Sequence, residues 1–399
     1  MTREERELRR QERERRHAVE AAAKEAARGP LDVPFLLLTL LLTGVGLIML
    51  FSASFPMAYY EGVGPAYYLI RQGVFAALGI AAMLAIGRIN YERYRVVGKY
   101  VLAISIALLI LVLIPGVGIT RNNATRWLGF GELFTFQPSE IAKVGVILYF
   151  ADSISKKRER MRTFRYGILP YGIILGVIAV LMVLEPHLSG TILILGIGAV
   201  MMFVGGIQPV WVGAGLGVGA LGVWAYLSGK IGYNAKRIMI WRDPLTNDPD
   251  LMRDAGYQIR QSLLAIGSGG LLGVGLGKSR QKFMYLPERH NDFIFAIICE
   301  ELGLIGATLI MALFALLIIR GYWIALHARD RFGALLAVGV TTQVALQVFL
   351  NIAVVTNLIP NTGISLPFFS YGGTAIVITL VEMGFVLSIS RSSKIRRRK

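Results

Sequence analysis

The stretch Gly273–Gly303, GVGLGKSRQKFMYLPERHNDFIFAIICEELG, runs from a charged, glycine-bearing segment straight into a long apolar one. Asp292 stands on the seam, and Glu300 and Glu301 are carried about two helical turns into the apolar part. Carboxylates entering a membrane-type segment are costly unless they have a partner or a task. The apolar part is long enough to cross a bilayer, which takes ~20 mostly apolar residues.

Such windows recur along the chain. Of its 399 residues 55% are apolar and only 17% charged, with a mean hydropathy of +0.58. The expected fold is an all-α polytopic membrane protein of about ten transmembrane helices. Their approximate positions are 33–54, 66–87, 98–115, 138–152, 167–184, 189–205, 209–228, 291–319, 332–356 and 371–390. One cysteine, Cys299, excludes an internal disulfide framework. No short apolar stretch with a small-residue cleavage site precedes the first span, so no cleaved signal peptide is expected.

The charges orient these spans. With the N-terminus inside, the inner segments 1–32, 88–99, 152–166, 205–209, 320–331 and 391–399 hold 28 of the 42 Lys and Arg residues. The short outer loops hold Arg121 and Arg126 and almost nothing else basic. The positive-inside rule then puts both termini in the cytoplasm. It leaves one large extracellular loop, about 229–290, between spans seven and eight. Its ten basic residues do not conflict with the topology, because loops of that length largely escape the rule. A net charge of +17 would point to nucleic acid in a soluble protein, but here most of it is orientation signal, and no nucleic-acid partner is expected. The domain reading is a charged cytoplasmic tail (1–32), a transmembrane domain (33–390) and a basic cytoplasmic tail (391–399). The N-terminal run interleaves Glu and Arg with many i,i+4 pairs, as a solvated helix does.

With this topology the unusual polar segments collect outside: TRWLGFGELFTFQPSEIAK, LEPHLSGT, the long loop, and TNLIPNTGISLPFFSYGGT. A site should therefore face outward. Glu140 and Lys143, three apart, share a helix face. They are either an ion pair pinning helices or a charged wall of an outward cavity. Trp127 reads as an interfacial anchor, and the Arg126 guanidinium beside it matches phosphate oxygens. His187 lacks the clustered ligands a zinc site wants. GVGLG at 273–277 fails the G-x-G-x-x-G spacing and follows no βαβ unit, so it does not signal a nucleotide. Asp292 is either a helix-terminal carboxylate favoured by the dipole or a general base. In the second case Lys278, Arg280, Lys282 and Arg289 above it could hold an anionic head group. Glu300 and Glu301 lie deeper and read as locks of the bundle or lining of a cavity.

These segments carry a resemblance. GLGKSRQKFMYLPERHNDFIFAIICEELGLIGA, TRWLGFGELFTFQPSEIAK, EPHLSGT, YQIRQSLLAIGSGGLLGVGLG and IPNTGISLPFFSYGGT, in this order, are similar to the motifs of the SEDS family (shape, elongation, division and sporulation). The likeness runs from about residue 33 to 392 and is nearer the FtsW and SpoVE branches than RodA. It departs at His187, where many members have Asp. The resemblance implies a peptidoglycan glycosyltransferase of the cell membrane, sited at the septum if it serves division. It implies lipid II and the growing glycan strand as substrates, and a class B penicillin-binding protein as partner among other division or elongation proteins. The family's catalytic Asp falls on Asp292, and its Glu and Lys fall on Glu140 and Lys143. The lipid pyrophosphate leaving group needs its charge neutralised by Arg, Lys or a divalent cation such as Mg or Mn. Arg260 joins the loop cations as a phosphate candidate, and the need for a metal is left open. The main alternative is a flippase for the same lipid, whose polar groups belong near the midplane of paired repeats. A non-catalytic scaffold recruiting the transpeptidase is the third reading.

Overall fold

The computed structural model describes residues 29–121, 124–130, 134–211, 213–215, 217, 235–246, 248 and 255–393. Nine of the described helices run between two polar ends: α1 (Val33–Tyr60), α2 (Tyr67–Arg88), α3 (Tyr94–Val112), α4 (Pro138–Lys157), α5 (Leu169–Leu184), α6 (Leu188–Val204), α9 (Ile294–Leu326), α10 (Arg331–Val355) and α11 (Gly373–Ser390). Two shorter ones, α7 (Ala235–Arg242) and α8 (Ala255–Gly269), belong to the segment before α9. Among the described residues seven helices are long and apolar enough to cross a membrane. Helix α6 is apolar but shorter, and α4 carries Glu140, Lys143, Asp152, Lys156 and Lys157. The span expected at 209–228 lies largely outside the described residues.

The two ends differ in kind. At one, Asp32 caps α1 through the Phe35 amide (3.1 Å) and takes both Arg320 nitrogens at 3.0 and 2.8 Å. Asp330 there caps α10 and pairs with Arg95. Gly29 and Arg391 are bonded to each other across the start and finish of the bundle. The other end gathers residues 61–66, 113–121, 124–130, 134–137, 185–187, 270–293 and 356–372.

Close helix contact sets the bundle's order. Helix α3 lies on α4, and α2 on α11. A Cβ on Gly145 would fall 2.9 Å from the Leu102 Cα, and one on Gly98 would fall 2.9 Å from the Leu148 carbonyl carbon. Only glycine permits that spacing, which brings backbones close enough for dense packing where lipid supplies no hydrophobic drive.

Two features depart from expectation. The segment before α4 is not irregular: β1 (Ile119–Arg121), β2 (Ala124–Phe130) and β3 (Phe134–Phe136) form an antiparallel three-stranded sheet in that order. The helix expected at 291–319 begins at Ile294, runs to Leu326, and is broken at Gly303 (φ 67°, ψ −170°). Backbone of this kind is essentially confined to glycine. The break lets the chain before it dock: Val274 and Gly275 amides donate to the Glu300 and Glu301 carbonyls (2.9 and 3.0 Å). Leu304 and Ile305 amides donate to Gly270 and Leu271 (2.9 and 3.2 Å).

Candidate functional site

The loop after α8 is held by the two glutamates of α9. Glu301, 1% exposed, accepts from Lys282 Nζ (2.8 Å), Ser52 Oγ (2.7 Å) and the Ser279 amide (3.3 Å). Glu300, equally buried, accepts from the Ser279 hydroxyl and from the Arg280 amide at 2.9 Å. Each carboxylate is thus satisfied several times over, which is what makes burial of charge tolerable. The result is a rigid loop that presents Lys278 and Arg280 outward, both exposed.

Asp292 sits on a platform built by three elements. Asn351 of α10 donates to the Asp292 carbonyl (2.8 Å) and to the Ile364 carbonyl (2.6 Å). The Ser370 hydroxyl donates to the Asn291 carbonyl (2.7 Å), and the Tyr371 amide to the His290 carbonyl (2.9 Å). His290 packs against the Tyr68 and Tyr371 rings at 5.2 and 5.8 Å. A Cβ on Gly363 would lie 3.0 Å from Asp292 Oδ2, so the 356–372 loop closes directly on the carboxylate. The side chain itself is half-buried, and no hydrogen bond from the described residues reaches its oxygens. Desolvation and then the neighbouring Glu288 push its pKa up to about 7, against the opposing pull of Arg126. The N-cap of α9 is Phe293, so Asp292 precedes the helix and is not part of its first turn.

Arg126 projects from β2. Its Nε donates to the Glu185 carbonyl at 3.3 Å and a terminal nitrogen donates to the Pro186 carbonyl. Glu185, 1% exposed, has neither carboxylate oxygen hydrogen-bonded among the described residues, and burial raises its pKa to about 8. His187 lies within 3.4 Å of Gln137, and burial with two nearby cations lowers its pKa to about 3, so it is neutral.

Deeper between the helices, Lys143 pairs with Glu140 at 2.8 Å, and both are buried. Sequence reasoning missed their third companion. Glu382 of α11 is fully buried, within electrostatic reach of Lys143 and Glu140, and takes a hydrogen bond from Gln343 at 2.6 Å. A lone Glu in the apolar run VITLVEMGF was the available signal.

The structure therefore brings Asp292 and Arg126 into one neighbourhood, with Glu140 and Lys143 joined to it through His187. Two expected phosphate ligands are corrected. Lys282 is 2% exposed, its ammonium shared between Glu301 and Ser52 (2.8 and 3.0 Å). Arg289 is 4% exposed, pointing inward to the Leu286 carbonyl and Met284 Sδ. Both were drawn inward because a buried carboxylate or carbonyl compensates a long cationic side chain better than the lipid boundary does. Arg260 is half-buried on α8, which packs on α9. Among the described residues no group of three His, Cys, Asp or Glu is placed to hold a metal.

Apolar helices crossing between two polar ends, with a half-buried carboxylate within reach of Arg126 at one of them, define a polytopic membrane protein. The chain belongs to the FtsW/RodA/SpoVE family, whose model, described as "Cell cycle protein", matches residues 33–395. It is 42% identical over 364 residues to "Probable peptidoglycan glycosyltransferase FtsW" of Geobacter sulfurreducens, covering 91% of this chain and 96% of that one. It is 43% identical over 374 residues to "Stage V sporulation protein E" of Bacillus subtilis, covering 91% and 98%. Among solved structures, Thermus thermophilus rod shape determining protein RodA matches with a TM-score of 0.67 at 27% identity, over 91% of this chain and 98% of that one. A chain from a structure titled "Structural coordination of polymerization and crosslinking by a peptidoglycan synthase complex" matches with a TM-score of 0.74 at 26% identity, over 90% and 98%.

Proposed function

We propose that this chain is a peptidoglycan glycosyltransferase that polymerises lipid II at the outer face of the cell membrane, paired with a class B penicillin-binding protein. The observation that carries this is Asp292: a carboxylate that no hydrogen-bond donor among the described residues reaches, immobilised through its backbone and raised to about 7, where a general base works best at neutral pH. Asp292 takes the proton of the acceptor sugar hydroxyl as that oxygen bonds to the anomeric carbon of the donor. The bond from that carbon to the lipid pyrophosphate breaks, and the pyrophosphate leaves with the electron pair. Lys278, Arg280 and Arg126 are the cations that can neutralise it, and Lys282 and Arg289 are excluded by their burial. The peptidoglycan glycosyltransferase activity of the Geobacter sulfurreducens relative and the synthase complex of the structural neighbour support this reading.

The buried group of Glu140, Lys143 and Glu382 favours a second reading, a flippase, since polar groups inside a bundle also mark transport paths. One experiment separates them. Purified protein with its transpeptidase polymerises labelled lipid II in detergent, where there is no second leaflet, and Asp292→Asn abolishes the product. Polymer from the Asn variant at the parent rate removes Asp292 from the chemistry. No polymer from the parent under any cation or partner condition leaves transport.

A further inference from the structure

The Glu185 carboxyl is an anomaly that the transfer mechanism does not use. It is buried beside the site with both oxygens unbonded. A carboxylate in that condition is expensive as an anion. The Arg126 guanidinium that could relieve it grips the backbone of the same turn, at the Glu185 and Pro186 carbonyls, and not the carboxyl. The charge of Arg126 also acts on Asp292, so one guanidinium serves two unbonded carboxyls.

We propose that Glu185 is a positioning residue of the transfer site, acting through Arg126: while Glu185 is neutral, the two carbonyls hold the guanidinium toward Asp292 and the substrate's anionic leaving group, and when Glu185 ionises it draws the guanidinium into a buried ion pair and withdraws it. This rests on the glycosyltransferase reading. Among the described residues Arg126 is the charge that acts on Glu185, which makes it the responder. His187 on the same turn is neutral, Gln137 at the start of α4 is uncharged, and Lys143 behind His187 is already paired with Glu140. Burial raises both carboxyls well above the ordinary carboxylate range, Glu185 to about 8 and Asp292 to about 7. Ionisation of Asp292 supplies the base while ionisation of Glu185 withdraws Arg126, so the two act on the rate in opposite directions as pH rises.

The test is the pH profile of lipid II polymerisation by the full chain with its transpeptidase. The parent rate rises through about pH 7 and falls above about pH 8, reaching roughly a tenth of its maximum one pH unit beyond. Glu185→Gln mimics the neutral form and keeps the acid limb but loses the alkaline fall, so its own ratio of rates at pH 9 and pH 7.5 rises about tenfold over the parent's. Arg126→Gln, slower throughout, also loses the alkaline fall, and it carries the test should the Glu185 variant not fold. An independent readout is thermal unfolding in detergent. Glu185 binds its proton more tightly when folded, so the parent loses stability relative to Glu185→Gln as pH rises from the ordinary carboxylate range to about 8. An alkaline fall unchanged in both variants overturns the inference while leaving the glycosyltransferase reading intact. A parent inert toward lipid II at every pH overturns that reading, and this inference with it.

Discussion

Replacing Glu301 by Gln tests whether the loop lock is structural. The side chains of Glu301 and Lys282 are 0% and 3% exposed, and their charged atoms are 2.8 Å apart. The amide keeps the shape, and its oxygen can still accept from Lys282, but the ammonium is left with neutral partners only, Ser52 Oγ at 3.0 Å among them. Breaking a buried pair on one side costs about 3–5 kcal/mol because the remaining charge is uncompensated. At 1.4 kcal/mol per tenfold this is a fall of roughly a hundredfold to several thousandfold in the folded-to-unfolded ratio. Adding Lys282→Met removes the stranded charge and restores a large part of that loss, so the two changes couple by roughly 1–3 kcal/mol in a double-mutant cycle. The assay is reversible unfolding of the purified protein in mixed detergent micelles, with lipid II polymerisation measured on the same samples. Activity tracks the folded fraction, and the KM for lipid II does not change. A loss below about 1 kcal/mol, with a raised KM instead, would refute the reasoning: Lys282 would then be a solvated substrate contact and not a buried partner.

Three further substitutions have outcomes set by the geometry. Asp292→Asn abolishes turnover at every pH, while the parent's activity climbs as Asp292 ionises through about 7. The same carboxyl is raised when folded, so its stabilising protonation is complete below its ordinary pKa and lost as pH rises through about 7. The Asn variant is therefore the more thermostable at pH 8, measured by its unfolding midpoint. Gly303→Ala places a Cβ 2.2 Å from the Gly273 nitrogen in backbone only glycine adopts, and costs at least about 3 kcal/mol from strain plus weakened hydrogen bonds to residues 270–275. Asn351→Ala frees the Asp292 carbonyl from α10, lowering kcat about tenfold or more with little change in KM, because it disturbs the placement of the base and not lipid binding.

The apolar windows made most of the helices legible, because length and hydropathy decide whether a segment can cross a bilayer. The same reasoning could not see the sheet of β1, β2 and β3, because two of its strands have only three residues, too few for an alternating pattern to stand out. It placed Asp292 on the seam correctly but inside the helix, since nothing local distinguishes NDF as a platform from NDF as a first turn. Tertiary hydrogen bonds from Asn351 and Ser370 decide that. Lys282 and Arg280 are two residues apart in one basic run, yet one is buried and the other exposed. The burial of Lys282 is set by Glu301, nineteen positions after it in the chain. Glu185 was visible in EPHLSGT, but its isolation from hydrogen-bond donors is a property of packing.

The broken helix α9 also governs how motion is distributed. Residues 270–275 and 300–305 exchange backbone hydrogen bonds, so loop and helix share one set of protected amides. They should open together in hydrogen exchange, with the protection of the bundle core and not of a surface loop. A loop riveted in this way cannot act as a lid over the site. Whatever admits a long lipid and releases a lengthening polymer must move against it, and the 270–305 unit is the anvil.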